Sequence, residues 1–288
     1  MVNQLKNEKS PYLKQHENNP VDWLPWNKKT LTKAKDERKP IFLSVGYASC
    51  HWCHVMAHES FENQETAKIM NEKFINIKVD REERPDLDSI FQKSLGILTG
   101  AQGGWPLSMF LDENAVPFTG GTYFPPKEMH GRPSFNQVLE NVSKVYSENR
   151  EKIISQVSQL QAVFKELNRK NAVLKQDLEP YVEKIIQYLD EENGGFRGAP
   201  KFPQFYIFDT IFYFYKKKNN QKFFKAVENL LKNISSKGIY DHLEGGIARY
   251  TVDEKWIVPH FEKMLYDNIL YINLLNHFLQ KESSKYLK

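Results

Sequence analysis

The chain has 288 residues, 40% of them hydrophobic, with a net charge of +4. That is room for about two domains, and 19 Phe, 14 Tyr and 5 Trp supply the bulk for packed cores, which excludes global disorder. No run approaches the roughly 20 apolar residues of a membrane span, the first six residues form no apolar leader, and the basic clusters Lys28-Lys29 and Lys216-Lys217-Lys218 come with no reader motif; a cytoplasmic protein with neither nucleic acid nor membrane as partner is expected.

In chain order, residues 1–39 are polar, with Pro11, Pro20, Pro25, Trp23 and Trp26. They read as an irregular arm that packs its tryptophans on the domain, followed by a short basic helix over 30–38. Residues 40–45 form an apolar strand. A helix opens at Cys50 and runs to His58, and residues 65–74 continue or follow it. Residues 75–80, Ile-Asn-Ile-Lys-Val-Asp, alternate with period two and predict a second strand. Pro85 suits the first turn of a helix reaching Leu98. Residues 106–111 are a third strand, 112–114 a hairpin turn, and 116–123 a fourth strand that Gly120-Gly121 interrupts. Strands and helices in this order predict a mixed α/β layer. From Ser134 to Leu167 apolar residues recur at helical spacing and predict one long helix. The polar stretch 168–175 is the best domain boundary. Beyond Pro180 the pattern is all-helical, with helices over 181–191, 204–217, 221–236 and 261–280 separated by Gly-rich loops. Residues 205–215 are apolar nearly all round and read as a helix buried on both faces.

The chemistry concentrates at Cys50-His51-Trp52-Cys53-His54, which holds the only two cysteines. Two cysteines in a large cytosolic chain are no structural disulfide framework. A Cys-x-x-Cys between a strand and a helix is the setting of a redox dithiol. Cys50, at an exposed helix N-terminus, is the expected nucleophile, because free N–H groups favour its thiolate. Cys53, one turn further in, would resolve the mixed disulfide. His51 and Trp52 would tune the pair. This reading needs no cofactor and takes a protein or small-molecule thiol or disulfide as substrate. Two other readings stay open. Cys50, Cys53, His54 and His58 could hold zinc, and Cys50–His54 matches a covalent haem motif. Trp105-Pro106 opens the third strand and would shape a substrate groove beside the cysteines. A proline starting a strand is permitted in either isomer.

Several long stretches carry a resemblance. They are Ser10-Pro11-Tyr12-Leu13, Asn19-Pro20-Val21-Asp22-Trp23, residues 50–56 and 78–86, Gly103-Gly104-Trp105-Pro106-Leu107, residues 120–126, Ala199-Pro200-Lys201-Phe202-Pro203, residues 238–243 and residues 250–268. With them the chain resembles the thioredoxin-domain family of spermatogenesis-associated protein 20 and its bacterial and archaeal relatives. The resemblance implies a thioredoxin-like α/β domain over 1–170. It also implies an all-α domain over 176–288 similar to part of the (α/α)6 toroid of six-hairpin glycosidases and sugar epimerases. Two departures stand out. Thioredoxins carry a buried carboxylate six residues before the first cysteine, where this chain has Ser44. The helices after Pro180 are also too few for a toroid, so a missing C-terminal chain is the expected partner that would complete it. In the second half Asp241, His242, Glu244, Asp253, His260 and Glu262 are the residues a carbohydrate-active site would use. The competing reading gives them loop-tying and helix-capping roles. The alternative to the redox function is a non-redox one: a binding or scaffold protein, or a carbohydrate-active enzyme whose thioredoxin-like domain is accessory.

Overall fold

The structure, a computed structural model, describes residues 3–129, 131–167 and 178–281. The chain divides into two compact units, residues 1–171 and 172–288. The polar boundary stretch 168–175 lies outside the described residues.

The first unit is built on five strands: β1 (Leu24–Pro25), β2 (Ile41–Gly46), β3 (Ile75–Asp80), β4 (Leu107–Leu111) and β5 (Pro117–Gly121). They lie in the order β1-β3-β2-β4-β5. The first three are parallel, and β4 and β5 run antiparallel. This is the expected mixed α/β layer, with one strand more than the sequence reading gave. Leu24-Pro25, at the end of the arm, pairs with Ile77-Lys78. The pattern hid it because two residues carry no period.

Register gives the two faces of the sheet different chemistry. Ile41, Leu43, Val45, Ile75, Ile77, Val79, Leu107, Met109 and Leu111 form an aliphatic core with Ala34 of α2 (Lys28–Glu37) and Leu87, Phe91 and Leu95 of α5 (Pro85–Thr99). Across β3, β2 and β4, the opposite face sets Asn76, Phe42 and Phe110 in one row and Lys78, Ser44 and Ser108 in the next; Gly46 and Asp80 follow. Here the cover is aromatic: Trp23, Phe61 and Phe135 pack on Phe42. All six residues of β3 are buried. The alternating strand of the sequence reading is therefore buried on both sides, with its polar side covered by the arm.

The arm is also more ordered than expected. A 3-10 turn (Gln4–Asn7) leads to the single-turn helix α1 (Pro11–Lys14), which Ser10 caps by accepting the Leu13 N–H. Trp23 is fully buried and donates to Asn19. The dithiol helix α3 (His51–Met56) runs into a π turn (Ala57–Phe61), and α4 (Gln64–Lys73) follows. Gly120 and Gly121 belong to β5 rather than break it. A side chain on Gly120 would meet the Ser108 backbone carbonyl at 2.8 Å, so glycine suits the close approach of β5 to β4. The long helix predicted from Ser134 is two helices, α6 (Phe135–Glu148) and α7 (Arg150–Leu167). They part at Asn149, whose backbone leaves the helical region; short polar side chains compete with the helix for backbone bonds.

The second unit carries α8 (Glu179–Ile186), α9 (Phe205–Lys218), α10 (Gln221–Ser236) and α11 (Leu265–Lys281) around one apolar cluster that includes Phe208, Phe212, Leu230, Leu274 and Phe278. It is not purely helical, because β6 (Tyr250–Thr251) and β7 (Pro259–His260) form a short ribbon. Nor is α9 buried on both faces: Tyr206, Thr210 and Tyr213 are exposed. Exposed apolar side chains lie instead on α11 and the loop before it, at Ile257, Val258, Leu265 and Ile272.

Two loops of this unit repeat one design. Leu189-Asp190-x3-Gly194-Gly195-Phe196 and Tyr240-Asp241-x3-Gly245-Gly246-Ile247 each close an isolated antiparallel bridge between their outer residues. In each, the aspartate N–H donates to the second glycine's carbonyl, and the aspartate Oδ1 accepts two N–H groups of the turn. In each, Oδ2 takes a lysine, Lys201 for Asp190 and Lys263 for Asp241. All four glycines have φ between 71° and 82°, a region that favours glycine. Among the described residues no helix is long and apolar enough to cross a membrane.

Candidate functional site

Val45 pairs with Leu107. The loop leaving β2 and the loop entering β4 therefore emerge at the same end of the sheet. The first carries Tyr47 to Cys50 and the second carries Trp105-Pro106, so two distant segments meet around the cysteines. Tyr47 and Trp105 touch edge to face at 5.9 Å.

Cys50 and Cys53 form a disulfide. Cys50 is the N-cap of α3, and its Sγ accepts the Cys53 N–H at 3.2 Å. That bond would serve a thiolate better than a thiol, since charge-assisted bonds are the stronger ones. Contrary to the exposed position the sequence suggested, Cys50 is only 2% exposed and Cys53 1%. What reaches solvent is the rim of Ala48, Ser49, His51 and Trp52. The reason is the tight turn: the Cys50 N–H returns to the Tyr47 carbonyl, which tucks the sulfur under its neighbours. Trp52 is 49% exposed and packs on Tyr123, whose hydroxyl donates to Glu59.

The Trp105–Pro106 peptide is cis. The α5 helix holds this loop in place. Asp88 accepts the Trp105 indole N–H at 2.8 Å, and Gln92 donates to the Gly104 carbonyl. The Arg81 guanidinium lies 4.2 Å from the centre of the Trp105 ring and 5.5 Å from that of Tyr47. Sequence reasoning pointed to Trp105 and Pro106 but not to Asp88, Gln92 or Arg81, which act from a helix and a turn far along the chain.

The sheet face of Ser44, Lys78 and Asp80 carries a set of buried polar residues of which the sequence singled out only Ser44. Ser44, where thioredoxins place a carboxylate, is fully buried and accepts a hydrogen bond from Lys78 Nζ at 3.0 Å. The ammonium end faces three rings, Phe61 at 4.5 Å, Trp23 at 5.0 Å and Tyr12 at 5.2 Å. Such rings favour the cation by up to about 2 kcal/mol when desolvated, but removing an ion from water costs several kcal/mol. Burial therefore wins, and it holds the Lys78 amine well below its usual range. His16 lies beside it, bonded through Nδ1 to Asn19. Burial, with Lys78 second, pushes His16 down to about 2. Asp80 accepts from Ser10 at 2.6 Å. Tyr12 is fully buried, and its hydroxyl finds no hydrogen-bond partner among the described residues.

His54 and His58, the histidines of the zinc reading, have other contacts. His54 Nε2 is 2.7 Å from the Ala48 carbonyl, and His58 pairs with Glu62. Among the described residues no three His, Cys, Asp or Glu side chains gather as a metal site would. In the second unit Asp241 organises its loop and bonds Lys263, while His242 bonds the Lys237 carbonyl. Asp253 accepts the N–H groups of Lys255, Ile257 and Val258. His260 stacks between Tyr250 and Phe261, 3.9 Å from Glu262. Glu262 is buried against Arg249 at 3.2 Å, and Glu244 is exposed. The contacts of Asp241 and Asp253 tie their own loops, and that of Glu262 joins it to Arg249.

A family model described as Thioredox_DsbH, protein of unknown function, DUF255, matches residues 2–165. The uncharacterized protein B0495.5 of Caenorhabditis elegans is 43% identical over 275 residues, which cover 92% of this chain and 37% of that protein. Spermatogenesis-associated protein 20 of Homo sapiens is 41% identical over 276 residues, 92% of this chain and 35% of its own. The chain thus spans little more than a third of the length of these relatives. Among solved structures, a DsbH oxidoreductase aligns with a TM-score of 0.33 at 16% identity, covering 44% of this chain and 85% of that one. A disulphide isomerase from Xylella fastidiosa Temecula1 aligns with a TM-score of 0.31 at 17% identity, covering 42% and 88%. From the match that runs through the whole sheet and the cysteine pair, the chain belongs to the Thioredox_DsbH family, shared with spermatogenesis-associated protein 20, and its first unit is thioredoxin-like.

Proposed function

We propose that the first unit is a thiol–disulfide oxidoreductase module, or a redox-responsive one, working through Cys50 and Cys53. The observation that carries this reading is a buried disulfide at a helix N-cap, set at the sheet end where the Trp105–Pro106 loop also emerges. A thiolate at Cys50 is favoured by the Cys53 N–H and by α3. It attacks a substrate disulfide reached through the rim of Ala48, Ser49, His51 and Trp52. Cys53 then closes the disulfide and releases reduced substrate. Trp105-Pro106 would line the groove for the substrate chain, which Trp52 and Tyr123 border on the other side. The substrate is a protein or small-molecule disulfide or dithiol, met in the cytoplasm.

For the second unit we favour a partial α/α toroid, since two helix–loop–helix copies share one loop design, and further helices would cover the apolar surface of α11. The test of the redox reading is exchange by the full chain with a dithiol peptide and with insulin. Wild type should turn over both, and Cys50→Ser should lose all turnover. A wild-type protein that exchanges with neither substrate, and whose Cys50 has an ordinary thiol pKa, would overturn it.

A further inference from the structure

Resolving a mixed disulfide requires Cys53 to become a thiolate in a site with 1% exposure. Desolvation opposes that charge, and Ser44 offers no carboxylate to manage the proton. Something else must make the buried thiolate affordable, if the redox reading on which this inference rests is right.

The candidate comes from the arm. A methyl group placed on Gly46 would lie 2.3 Å from Tyr12 Oη and 2.7 Å from Cys53 Sγ. Hydroxyl and sulfur are therefore within about 5 Å of each other, across the one position of β2 that lacks a side chain. The hydroxyl is fully buried and has no partner among the described residues while the disulfide is closed. A buried donor left unsatisfied is costly, which makes it a poor choice for packing alone. A disulfide sulfur is a weak acceptor, whereas a thiolate is a strong one.

We propose that Tyr12 is the hydrogen-bond donor that receives the Cys53 thiolate whenever the disulfide is open, a role the sheet position at Ser44 does not fill. Gly46 is its enabling neighbour, because any larger residue would push hydroxyl and sulfur apart. Burial, and then the Asp80 carboxylate, push the phenol well above its ordinary pKa. Tyr12 thus keeps its proton and acts as donor, not base. The other titratable groups around this face are Lys78 and Asp80 on β3, His16 after α1, and His51, His54 and His58 on the dithiol helix and its π turn.

The cycle balances as follows. The Cys50 thiolate, having released its proton to solvent, attacks a substrate disulfide. A Cys50–substrate bond forms, the substrate S–S bond breaks, and the departing thiolate takes a proton from solvent. Cys53 loses its proton and attacks the Cys50 sulfur under the Tyr12 hydrogen bond. The Cys50–Cys53 bond forms, and the second substrate thiolate leaves and is protonated. The protein loses two electrons and the substrate gains them.

The test is the two-step reaction of the reduced full chain with dithiobis(nitrobenzoate), whose released thiolate is coloured. The first release reads Cys50 attack and the second reads Cys53 closing the disulfide. Losing a hydrogen bond to the charged sulfur should raise the Cys53 pKa by about one to two pH units. Part of the resulting fall in thiolate is offset by higher intrinsic nucleophilicity. Tyr12→Phe should therefore slow the second release about three- to tenfold near neutral pH and move its pH midpoint upward, with the first release unchanged. The same variant should melt no lower than wild type when oxidised, since it deletes an unsatisfied donor and keeps the ring. Gly46→Ala should slow the second step in the same direction. A second release as fast in Tyr12→Phe as in wild type, with the same pH midpoint, overturns the inference and leaves the redox reading intact. No release from Cys50 in wild type defeats the redox reading itself, and the inference falls with it.

Discussion

Each unit buries a lysine, and the two are treated in opposite ways. Lys201 meets Asp190 at 2.7 Å and the Glu254 carbonyl at 2.9 Å, over the Trp256 ring. Lys78 meets a serine hydroxyl and three aromatic faces, with no carboxylate in contact among the described residues. The first is the solution a fold uses to hold a loop: the charge is kept and neutralised by a partner. The second leaves the nitrogen with its charged form disfavoured, under the rings of Tyr12, Trp23 and Phe61. A buried ion pair answers for structure, whereas a buried amine without a counter-ion is typical of places where chemistry tunes a neighbour. The difference is that polarity in the second unit is paired to tie its loops, whereas polarity on one face of the first unit's sheet is roofed by aromatic rings.

Removing Asp190 should have the largest effect. Asp190→Ala strands a lysine with 1% side-chain exposure and should cost about 3–5 kcal/mol, read as a lower denaturation midpoint of the second unit. A change under about 1 kcal/mol would mean that Lys201 is less dependent on its partner than the geometry indicates. Ser44→Ala should cost less, about 1–3 kcal/mol, because the buried Lys78 amine loses a hydrogen-bond acceptor. If instead it cost as much as Asp190→Ala, the two lysines would be alike and the comparison would fail.

Acid should separate the units next. His16 is held neutral down to about 2, so below its ordinary value near 6.5 the unfolded chain binds a proton that the folded one does not. Stability of the first unit then falls with pH from about 6.5, by at most about 1.4 kcal/mol per pH unit for that single proton. Asp190 behaves differently. Burial raises its pKa, but hydrogen bonds from Asn193 and Lys201 outweigh that and bring it from 3.8 to about 2. Its contribution is intact above about 4 and lost only as pH falls toward 2. Unfolding followed from pH 7 to pH 4.5 should show the first unit weakening, and His16→Gln should flatten that slope. The smallest effect belongs to Lys78→Met. Exchanging a desolvated amine for an apolar chain of similar length should leave stability within about 1 kcal/mol of wild type or raise it, in contrast to Asp190→Ala.

Much of the first unit was legible. Strands over 40–45, 75–80 and 106–111 follow from apolar runs and turn residues, and Cys50–Cys53 and Trp105-Pro106 follow from their positions at strand ends. The residues missed are those whose roles come from tertiary packing. Tyr12, His16 and the strand Leu24–Pro25 sit in segments too short to show a period, and they matter because the arm folds across the sheet. Lys78 stood in plain alternation, yet the pattern could not show that its side was roofed by Trp23 and Phe61. The break at Asn149 was masked by apolar spacing that runs straight through it. The paired Asp-x3-Gly-Gly loops were visible in principle, since their spacing is identical. They escaped notice because the helices around them share no other obvious repeat.

The central claim is that Cys50 and Cys53 form an exchanging pair, not a structural staple. It is tested most directly by equilibrating the full chain in glutathione buffers and reading the dithiol fraction by thiol alkylation. The account predicts a reduction potential between roughly −120 and −270 mV, the range of working dithiols, and a Cys50→Ser variant with no reversible transition. A potential below about −300 mV would mark a structural disulfide and contradict the account.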